Sequence, residues 1–228
     1  MMTITRTKTW PLILVAALAL ITAACQPAPE ADPQSVTAQA TETATDPAFP
    51  YRFTAPEGWR TEIVTFPLSF APELDYEGHG DVRFAPGMFD PETDAFWTYS
   101  FVWWLPLNTE ITPDRLSADM NTYFSGLAAL IMTSREEDVP DYTASAYFTL
   151  SDDLRLPTTE GMSLDGRVET LDAFATQSPV GLNAHVDAVP CPDQSRLALI
   201  FGFSPQPYAH ENWRALDTIR AGFQCHAE

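Results

Sequence analysis

Positive charge is scarce in this sequence, and lysine is almost missing. Twelve Lys and Arg residues face 31 Asp and Glu, so the formal net charge is −19 at pH 7. Lys8 is the only lysine, and the fixed cations after residue 24 are all arginines. Proteins that bind nucleic acid neutralise its phosphates with clustered Lys and Arg. The charge balance therefore argues against a nucleic-acid partner.

Motifs for catalysis and for cofactors are also lacking. There is no phosphate-binding loop, no dinucleotide fingerprint and no His-Glu-x-x-His zinc motif. The run Gly202-Phe203-Ser204-Pro205 departs from the Gly-x-Ser-x-Gly nucleophile elbow at its last position. We therefore assign no catalytic residue, no metal and no cofactor from motifs, and we expect a binding or interaction domain rather than an enzyme.

No apolar run is long enough to span a bilayer. The longest, from Trp10 to Ile21, has 12 residues, whereas a spanning helix needs about 20. Arg6 and Lys8 precede this run, and the small residues Ala23 and Ala24 follow it. A basic start, a short apolar stretch and small residues at the end are typical of a secretory signal peptide. We assign residues 1–24 to this signal.

The end of the signal resembles the lipobox of bacterial lipoproteins. The residues are Ile21-Thr22-Ala23-Ala24-Cys25, and they depart from the family pattern at Thr22, where Leu is usual. The resemblance implies that Cys25 is lipidated and that acyl chains such as palmitate anchor the protein in a membrane. Gln26 follows in place of a retention aspartate, which implies the outer membrane, facing the periplasm, in a Gram-negative cell. The alternative is a plain signal peptide that leaves Cys25 as an unpaired thiol.

Only two further cysteines are present, Cys191 and Cys225. In an exported protein they lie in a compartment where disulfides persist. A metal or redox site is the alternative, but neither cysteine has a second cysteine or a histidine at ligand spacing, apart from His226. We expect a disulfide between Cys191 and Cys225.

The exported chain divides into a tether and a domain. Residues 25–48 are rich in Pro, Ala and Thr, with no aromatic side chain, so they bury too little apolar surface to fold. Residues 49–228 have the size of one domain. Their patterns predict strands at 59–66, 81–84, 96–105, 142–150, 163–172, 182–189 and 196–203, with helices beginning at Thr112 and spanning 208–223. We expect an α+β fold, with an antiparallel sheet of six to seven strands packed with two helices.

Two segments of the domain resemble known proteins. The run Ala55-Pro56-Glu57-Gly58-Trp59 is similar to the opening of the sheet in the family of the photosystem protein PsbP and the nuclear-transport factor Mog1, which implies a fold and no activity. Residues 66–89, followed by 96–105, are similar to uncharacterised secreted bacterial proteins.

The aromatic strand at residues 96–105 has two faces. Trp97, Tyr99, Phe101, Trp103 and Leu105 alternate along the bulky face, which is typical of a sheet core. On the other face, small residues lie between aromatic ones, so this face could pack in the core or form the floor of a groove for a sugar or an apolar ligand. The candidate ligand-binding residues are Phe96, Thr98, Ser100 and Trp104.

Polar side chains alternate along two later strands. The first stripe is Asp165, Arg167 and Glu169, and the second is Asn183, His185 and Asp187. If the strands pair as a hairpin, His185 with nearby carboxylates could serve a hydrolase or a metal-dependent enzyme. A solvated sheet face gives the same alternation without a site.

Two acidic loops, at residues 73–81 and 90–94, carry the oxygen ligands that calcium prefers, but their spacing lacks the EF-hand order. Ordinary surface acids explain them equally well. The remaining partner candidates are another envelope protein or a small ligand.

Overall fold

A computed structural model describes residues 49–139, 141–151 and 161–225 of the chain. The predicted signal peptide, Cys25 and the tether lie outside the described residues, as does His226. No helix in the described part is long and apolar enough to cross a membrane.

One antiparallel sheet of seven strands forms the centre of the domain. Its strands lie in the order β1-β2-β3-β7-β6-β5-β4. They are β1 (Arg60–Thr65), β2 (His79–Phe84), β3 (Tyr99–Pro106), β4 (Ser145–Leu150), β5 (Met162–Asp172), β6 (Ser178–Cys191) and β7 (Arg196–Ser204). The two helices are α1 (Pro113–Ser134) and α2 (Glu211–Ala221), and a short 3-10 helix covers Pro192–Gln194. The predicted α+β fold with an antiparallel sheet is confirmed.

The first helix begins where the sequence predicts. The Thr112 hydroxyl accepts a hydrogen bond from the Arg115 backbone N–H at 3.1 Å, and Pro113 occupies the first turn. Both features stabilise a helix start, because the first N–H groups of a helix have no partner within it. The apolar stripe of α1, including Leu116, Met120 and Phe124, is buried against the sheet.

Each face of the sheet has its own core. The α1 face holds the larger one, built from alternate side chains of β3, β5, β6 and β7 together with α1. The α2 face holds a smaller core in which Val102, Trp104 and Ile200 pack against Ile219 and Phe223. Tyr51 and Phe53, from the segment before β1, also pack there.

The α2 face is closed by a cross-link and by a backbone bridge. The sulfur atoms of Cys191 and Cys225 are 2.05 Å apart, at disulfide bonding distance, which confirms the predicted pair. Arg52 and Gln224 exchange backbone hydrogen bonds of 2.8 and 3.1 Å. The segment after α2 is thereby tied to the end of β6 and to the segment before β1.

Candidate functional site

The two polar stripes lie side by side, because β5 and β6 pair as an antiparallel hairpin. Asp165 lies opposite His185, and Arg167 lies opposite Asn183. The intervening Leu164, Val168, Leu182, Ala184 and Val186 face the α1-side core. The stripes therefore lie on the α2 face of the sheet.

The buried half of the stripes forms a connected ionic network, named here the His185 cluster: Ser163, Asp165, His185, Asp187 and Arg220. His185 Nδ1 lies 2.6 Å from Asp165 Oδ1, and its Nε2 lies 3.1 Å from Asp187 Oδ1. Ser163 donates to Asp187 at 2.6 Å. From α2, Arg220 contacts His185 Nε2 and donates to Asp187 Oδ2 at 3.3 Å.

The neighbours of Asp187 favour its charged form. Burial raises the pKa of Asp187, but its hydrogen bonds with His185 and Ser163 and its electrostatic interactions with His185 and Arg220 outweigh the effect of burial. The net result is a pKa below the usual value for an aspartate. Asp187 is fully buried. Its carboxylate has lost its hydration, and the interactions with these partners compensate for that loss.

The geometry around His185 leaves little scope for chemistry on a substrate. Both ring nitrogens already have partners. The cavity beside the ring, which Trp213 and Leu216 also line, measures about 10 Å³, which is the space of a single water. His185 lies within hydrogen-bond distance of two carboxylates, as an acid-base histidine requires. The described residues around it do not form a cleft that could hold a substrate.

The other half of the stripes faces solvent. Arg167 Nε donates to Glu169 at 2.7 Å, and Arg167 Nη1 donates to Asn183 at 3.2 Å. The side chains of Arg167 and Glu169 are about half exposed, at 54% and 49%. These three residues form a solvated sheet surface, as the alternative interpretation of the stripes requires.

A second polar cluster lies on the α2 face, and it includes His79 and Asp81 from the end of the first acidic segment, which the sequence suggests as a cation loop rather than as part of a strand. Alternate residues of β2 supply it: Arg83 makes a paired contact with the fully buried Asp81, and it also donates to the Phe53 carbonyl at 2.9 Å. The Tyr51 hydroxyl is 2.8 Å from His79 Nε2. Burial, and the charge of Arg196, lower the pKa of His79. The signal that could have found it is the alternation of His79, Asp81 and Arg83 in an otherwise apolar strand.

The candidate groove residues on the aromatic strand lie in the interior. Trp104 is buried beneath Tyr51, with ring centroids 4.8 Å apart. Thr98 is hydrogen-bonded to Ser204, and Ser100 donates to the Phe201 carbonyl at 2.7 Å. Phe96 packs against the opposite core because β3 begins only at Tyr99. These positions follow the core-packing interpretation, and ligand binding at this face stays a prediction.

A larger cavity lies on the α1 face and is named here the aromatic cavity. It lies between α1, which also packs over β4 and β5, and the segments that follow β1 and β2, which contribute Phe70 and Phe89. Its volume is about 280 Å³. Its walls are mainly aromatic and aliphatic: Glu62, Val64, Ser69, Phe70, Val82, Phe84, Met88, Phe89, Trp97, Tyr99, Tyr123, Leu127, Leu130, Ile131 and Phe174.

The wall residue Trp97 is held in an uncommon backbone conformation. Its φ of +52° lies in the left-handed region, which bulky residues rarely occupy. Two hydrogen bonds fix it there, from its N–H to the Met88 carbonyl at 2.9 Å and from its indole Nε1 to Asp172 Oδ1 at 3.0 Å. Asp172 also accepts from the backbone N–H groups of the turn that carries Phe174. One buried carboxylate thus positions two walls of the cavity.

Tyr99 is one of the residues that line this cavity. Its side chain is 3% exposed, and its hydroxyl, which is itself buried, has no hydrogen-bond partner among the described residues. Burial, with a smaller contribution from Tyr123, raises the pKa of Tyr99 well above its usual value. The hydroxyl therefore stays protonated at neutral pH.

The acidic loops do not form a cation site in the described part of the chain. No group of three or more His, Cys, Asp or Glu side chains there is arranged to hold a metal ion. Loop residue Tyr76 instead donates to Asp119 of α1 at 2.5 Å, and Arg115 lies over the Tyr76 ring. The first loop is thus tied to the helix.

Comparisons with known proteins identify no relative of this chain. The chain matches no protein-family model, no curated protein and no solved structure with significant similarity.

Proposed function

We propose that the domain binds a small, mainly apolar ligand in the aromatic cavity, and that a lipid on Cys25 holds it at the cell envelope. The observation that carries the ligand proposal is the cavity itself, about 280 Å³ with predominantly apolar walls. Ligand sites are concave, mostly apolar and equipped with few polar groups, and they measure about 300 to 1,000 Å³. The aromatic cavity lies just below the lower end of this range.

The construction of the walls supports a binding role. Bulky residues with positive φ persist only where the surrounding structure enforces them, and they concentrate at ligand sites. Trp97 meets this description, with Asp172 and Met88 as its restraints. A core that served stability alone would gain by closing this space, because each void forfeits contacts between side chains.

The other two hypotheses receive less support. A catalytic role for His185 requires space for a substrate, and its neighbouring cavity holds about one water. A protein-interaction role predicts a contiguous exposed apolar patch. The exposed large apolar side chains of the described residues come from separate segments, among them Ile63 of β1, Leu130 of α1 and Tyr147 of β4.

Ligand binding is tested by thermal unfolding of the purified protein with a panel of neutral aromatic compounds. A bound ligand stabilises the folded state, by about 2.7 kcal/mol at a hundred times its Kd. Leu127→Trp places a larger side chain in the cavity and should abolish this stabilisation. Leu150→Trp is the matched control, because Leu150 is 61% exposed on β4 and does not line the cavity. A panel that shifts neither the wild type nor this control contradicts the proposal.

The anchor is tested separately by Cys25→Ser. We expect the wild type to take up labelled palmitate and to sediment with membranes, because acyl chains together give firm anchoring. The variant should lose both properties. A Cys25→Ser protein that still incorporates label would contradict lipidation at this residue, without bearing on the cavity.

A further inference from the structure

We infer that two copies of the domain pair edge to edge through β1, as antiparallel strands related by a two-fold axis at Thr61. Such pairing does not depend on the ligand proposed for the aromatic cavity. Three features of β1 carry it: an outer edge without a partner strand, backbone groups that point to that edge, and side chains that complement those of a second copy.

The two edges of the sheet differ. The edge at β4 is closed by α1, because backbone N–H groups there donate to helix side chains in three bonds of 2.5 to 3.0 Å: Ala144 to Ser125, Ala146 to Asn121 and Phe148 to Ser117. At the other end of the sheet, no strand among the described residues pairs with the outer side of β1. Five of its six residues are exposed. An unpaired strand edge is a template for another chain.

The backbone groups on this edge are free to pair. Opposite residues of an antiparallel pair bond to each other at every second position. The Phe66 N–H donates to the Gly78 carbonyl at 3.1 Å, and the same register continues along β1 and β2. The even-numbered residues of β1 therefore point their backbone groups toward β2. Those of Thr61, Ile63 and Thr65 point to the open edge, where a second strand can bond to them without disturbing β2.

The side chains favour one register. With the two-fold axis at Thr61, Arg60 of each copy lies opposite Glu62 of the other, and Trp59 lies opposite Ile63. Opposite charges, and aromatic with β-branched side chains, are favourable cross-strand pairs. Ile63 is 38% exposed, so it has apolar surface to bury. An axis at Ile63 would instead make the two Glu62 carboxylates diagonal neighbours of like charge.

The pairing also reaches the aromatic cavity. Glu62 lines this cavity, and Arg60 lies on the same face of β1, with its guanidinium 4.9 Å from the Phe89 ring centroid. Each Glu62 would therefore gain Arg60 of the partner copy as a neighbour at the cavity rim. Because only residues 59–63 of each copy pair, the interface is smaller than the about 1,200 Å² of stable complexes. We expect a weak, reversible dimer.

Sedimentation equilibrium measures this dimer directly. The full chain with Cys25→Ser is used throughout, so that no acyl chain contributes to association. We expect the average mass to rise from one copy toward two as the concentration approaches about 1 mM. Arg60→Glu places like charges opposite each other twice and should weaken dimerisation at least about 10-fold. Combining Arg60→Glu with Glu62→Arg exchanges the charges and should restore the affinity to within about 3-fold.

Thr61→Pro tests the backbone pairing. The Thr61 N–H points to the open edge, so proline removes no strand bond of the monomer but removes both hydrogen bonds at the axis. This variant should not dimerise. Thr65→Pro is the matched control, because its N–H also points outward while the residue lies beyond the paired positions 59–63. It should keep the dimer. Circular dichroism confirms that both variants fold, and the charge variants decide if either does not.

Several outcomes would overturn the inference. They are a protein that stays monomeric at about 1 mM, a dimer that Arg60→Glu or a folded Thr61→Pro leaves unchanged, failure of the charge exchange to restore association, and loss of the dimer in a folded Thr65→Pro. None of these outcomes bears on the proposed ligand, because thermal unfolding with the neutral aromatic compounds tests the cavity separately.

Discussion

The two faces of the sheet use their polar residues in opposite ways. On the α2 face, charged side chains are numerous, and they satisfy one another in the His185 cluster and in the cluster around Asp81 and Arg83. On the α1 face, polar side chains are few within an apolar core that is rich in aromatic residues, and the Tyr99 hydroxyl lacks a partner among the described residues.

The comparison shows that a residue whose sequence pattern suggests a function need not be a residue that borders a cavity. A histidine between two aspartates is typical of acid-base chemistry, but His185 spends both ring nitrogens on contacts within the protein. Tyr99 belongs to a strand that is typical of a core, yet it borders a cavity of about 280 Å³. We therefore expect changes on the α2 face to alter stability, and changes at the cavity to alter binding.

The largest effect is expected from Asp187→Ala. This variant leaves Arg220 and His185 without their buried carboxylate, and removal of one partner from a buried ion pair costs about 3 to 5 kcal/mol. Urea unfolding should show this loss, while the affinity for a neutral aromatic compound that binds the wild type, measured where the variant is still folded, stays at the wild-type value. A loss below about 1 kcal/mol would contradict this expectation, because the stability of the domain would then not depend on the His185 cluster of the α2 face.

A smaller loss is expected from Gly126→Ala, on the α1 face. A Cβ atom at Gly126 would lie 1.8 Å from the carbonyl oxygen of Phe70. Alanine favours an isolated helix over glycine by about 0.8 to 1.0 kcal/mol, but overpacking here should cost about 1 to 3 kcal/mol. Because Phe70 lines the cavity, ligand affinity should fall as well. A more stable variant in urea unfolding would show that Phe70 does not pack closely on α1.

A substitution of Tyr by Phe should affect the free energy of unfolding differently on the two faces. In ligand-free protein, Tyr51→Phe removes a satisfied hydroxyl and should lower the free energy of unfolding by about 1 kcal/mol. Tyr99→Phe removes an unpartnered one and should leave that free energy unchanged or raise it by up to about 1 kcal/mol. Parallel denaturation curves of both variants provide the measurement. Equal losses in the two variants would mean that the Tyr99 hydroxyl is satisfied in solution.

The smallest effect concerns mild acid. The folded state lowers the pKa of His79 from 6.5, so the unfolded chain binds the proton more readily. The contribution of His79 to stability is fully present above pH 6.5 and is lost as the pH falls from that value toward the lower pKa of the folded state. His79→Gln should remove this part of the pH dependence, while Asp187, whose pKa is also lowered, still causes a loss in stronger acid. Identical stability profiles between pH 7.5 and 5.5 would contradict the assignment.

The sequence was a good guide to the fold because its local signals agree with the tertiary structure. Thr112 and Pro113 start α1, alternation marks the β5 and β6 hairpin, and the cysteines lie where the strand and the last helix end. The structure differs from the sequence-based prediction where long-range contacts determine the backbone conformation. Residues 96–98 are not part of β3, because Trp97 adopts a left-handed conformation enforced by Asp172, a residue 75 positions away.

The candidate sites were harder to predict for a related reason. Alternation placed Asp165 and His185 side by side, but the partner that completes their network, Arg220, comes from α2. The aromatic cavity depends on where α1 leaves the sheet uncovered, which no local pattern encodes. In the sequence, Trp104 lies on the candidate ligand-binding face of the strand and Tyr99 on the core face, whereas in the structure Trp104 is packed in the α2-side core and Tyr99 lines the cavity.

The most direct test of the difference between the faces is a nuclear magnetic resonance titration of the purified, isotope-labelled protein with 2-acetonaphthone. We expect perturbed signals from the Trp97 indole and from the methyl groups of Met88, Leu127 and Ile131, which line the aromatic cavity. The Trp104 indole, buried on the α2 face, should not move. Perturbation centred on Trp104 and His185, with Trp97 and Leu127 unchanged, would contradict ligand binding on the α1 face.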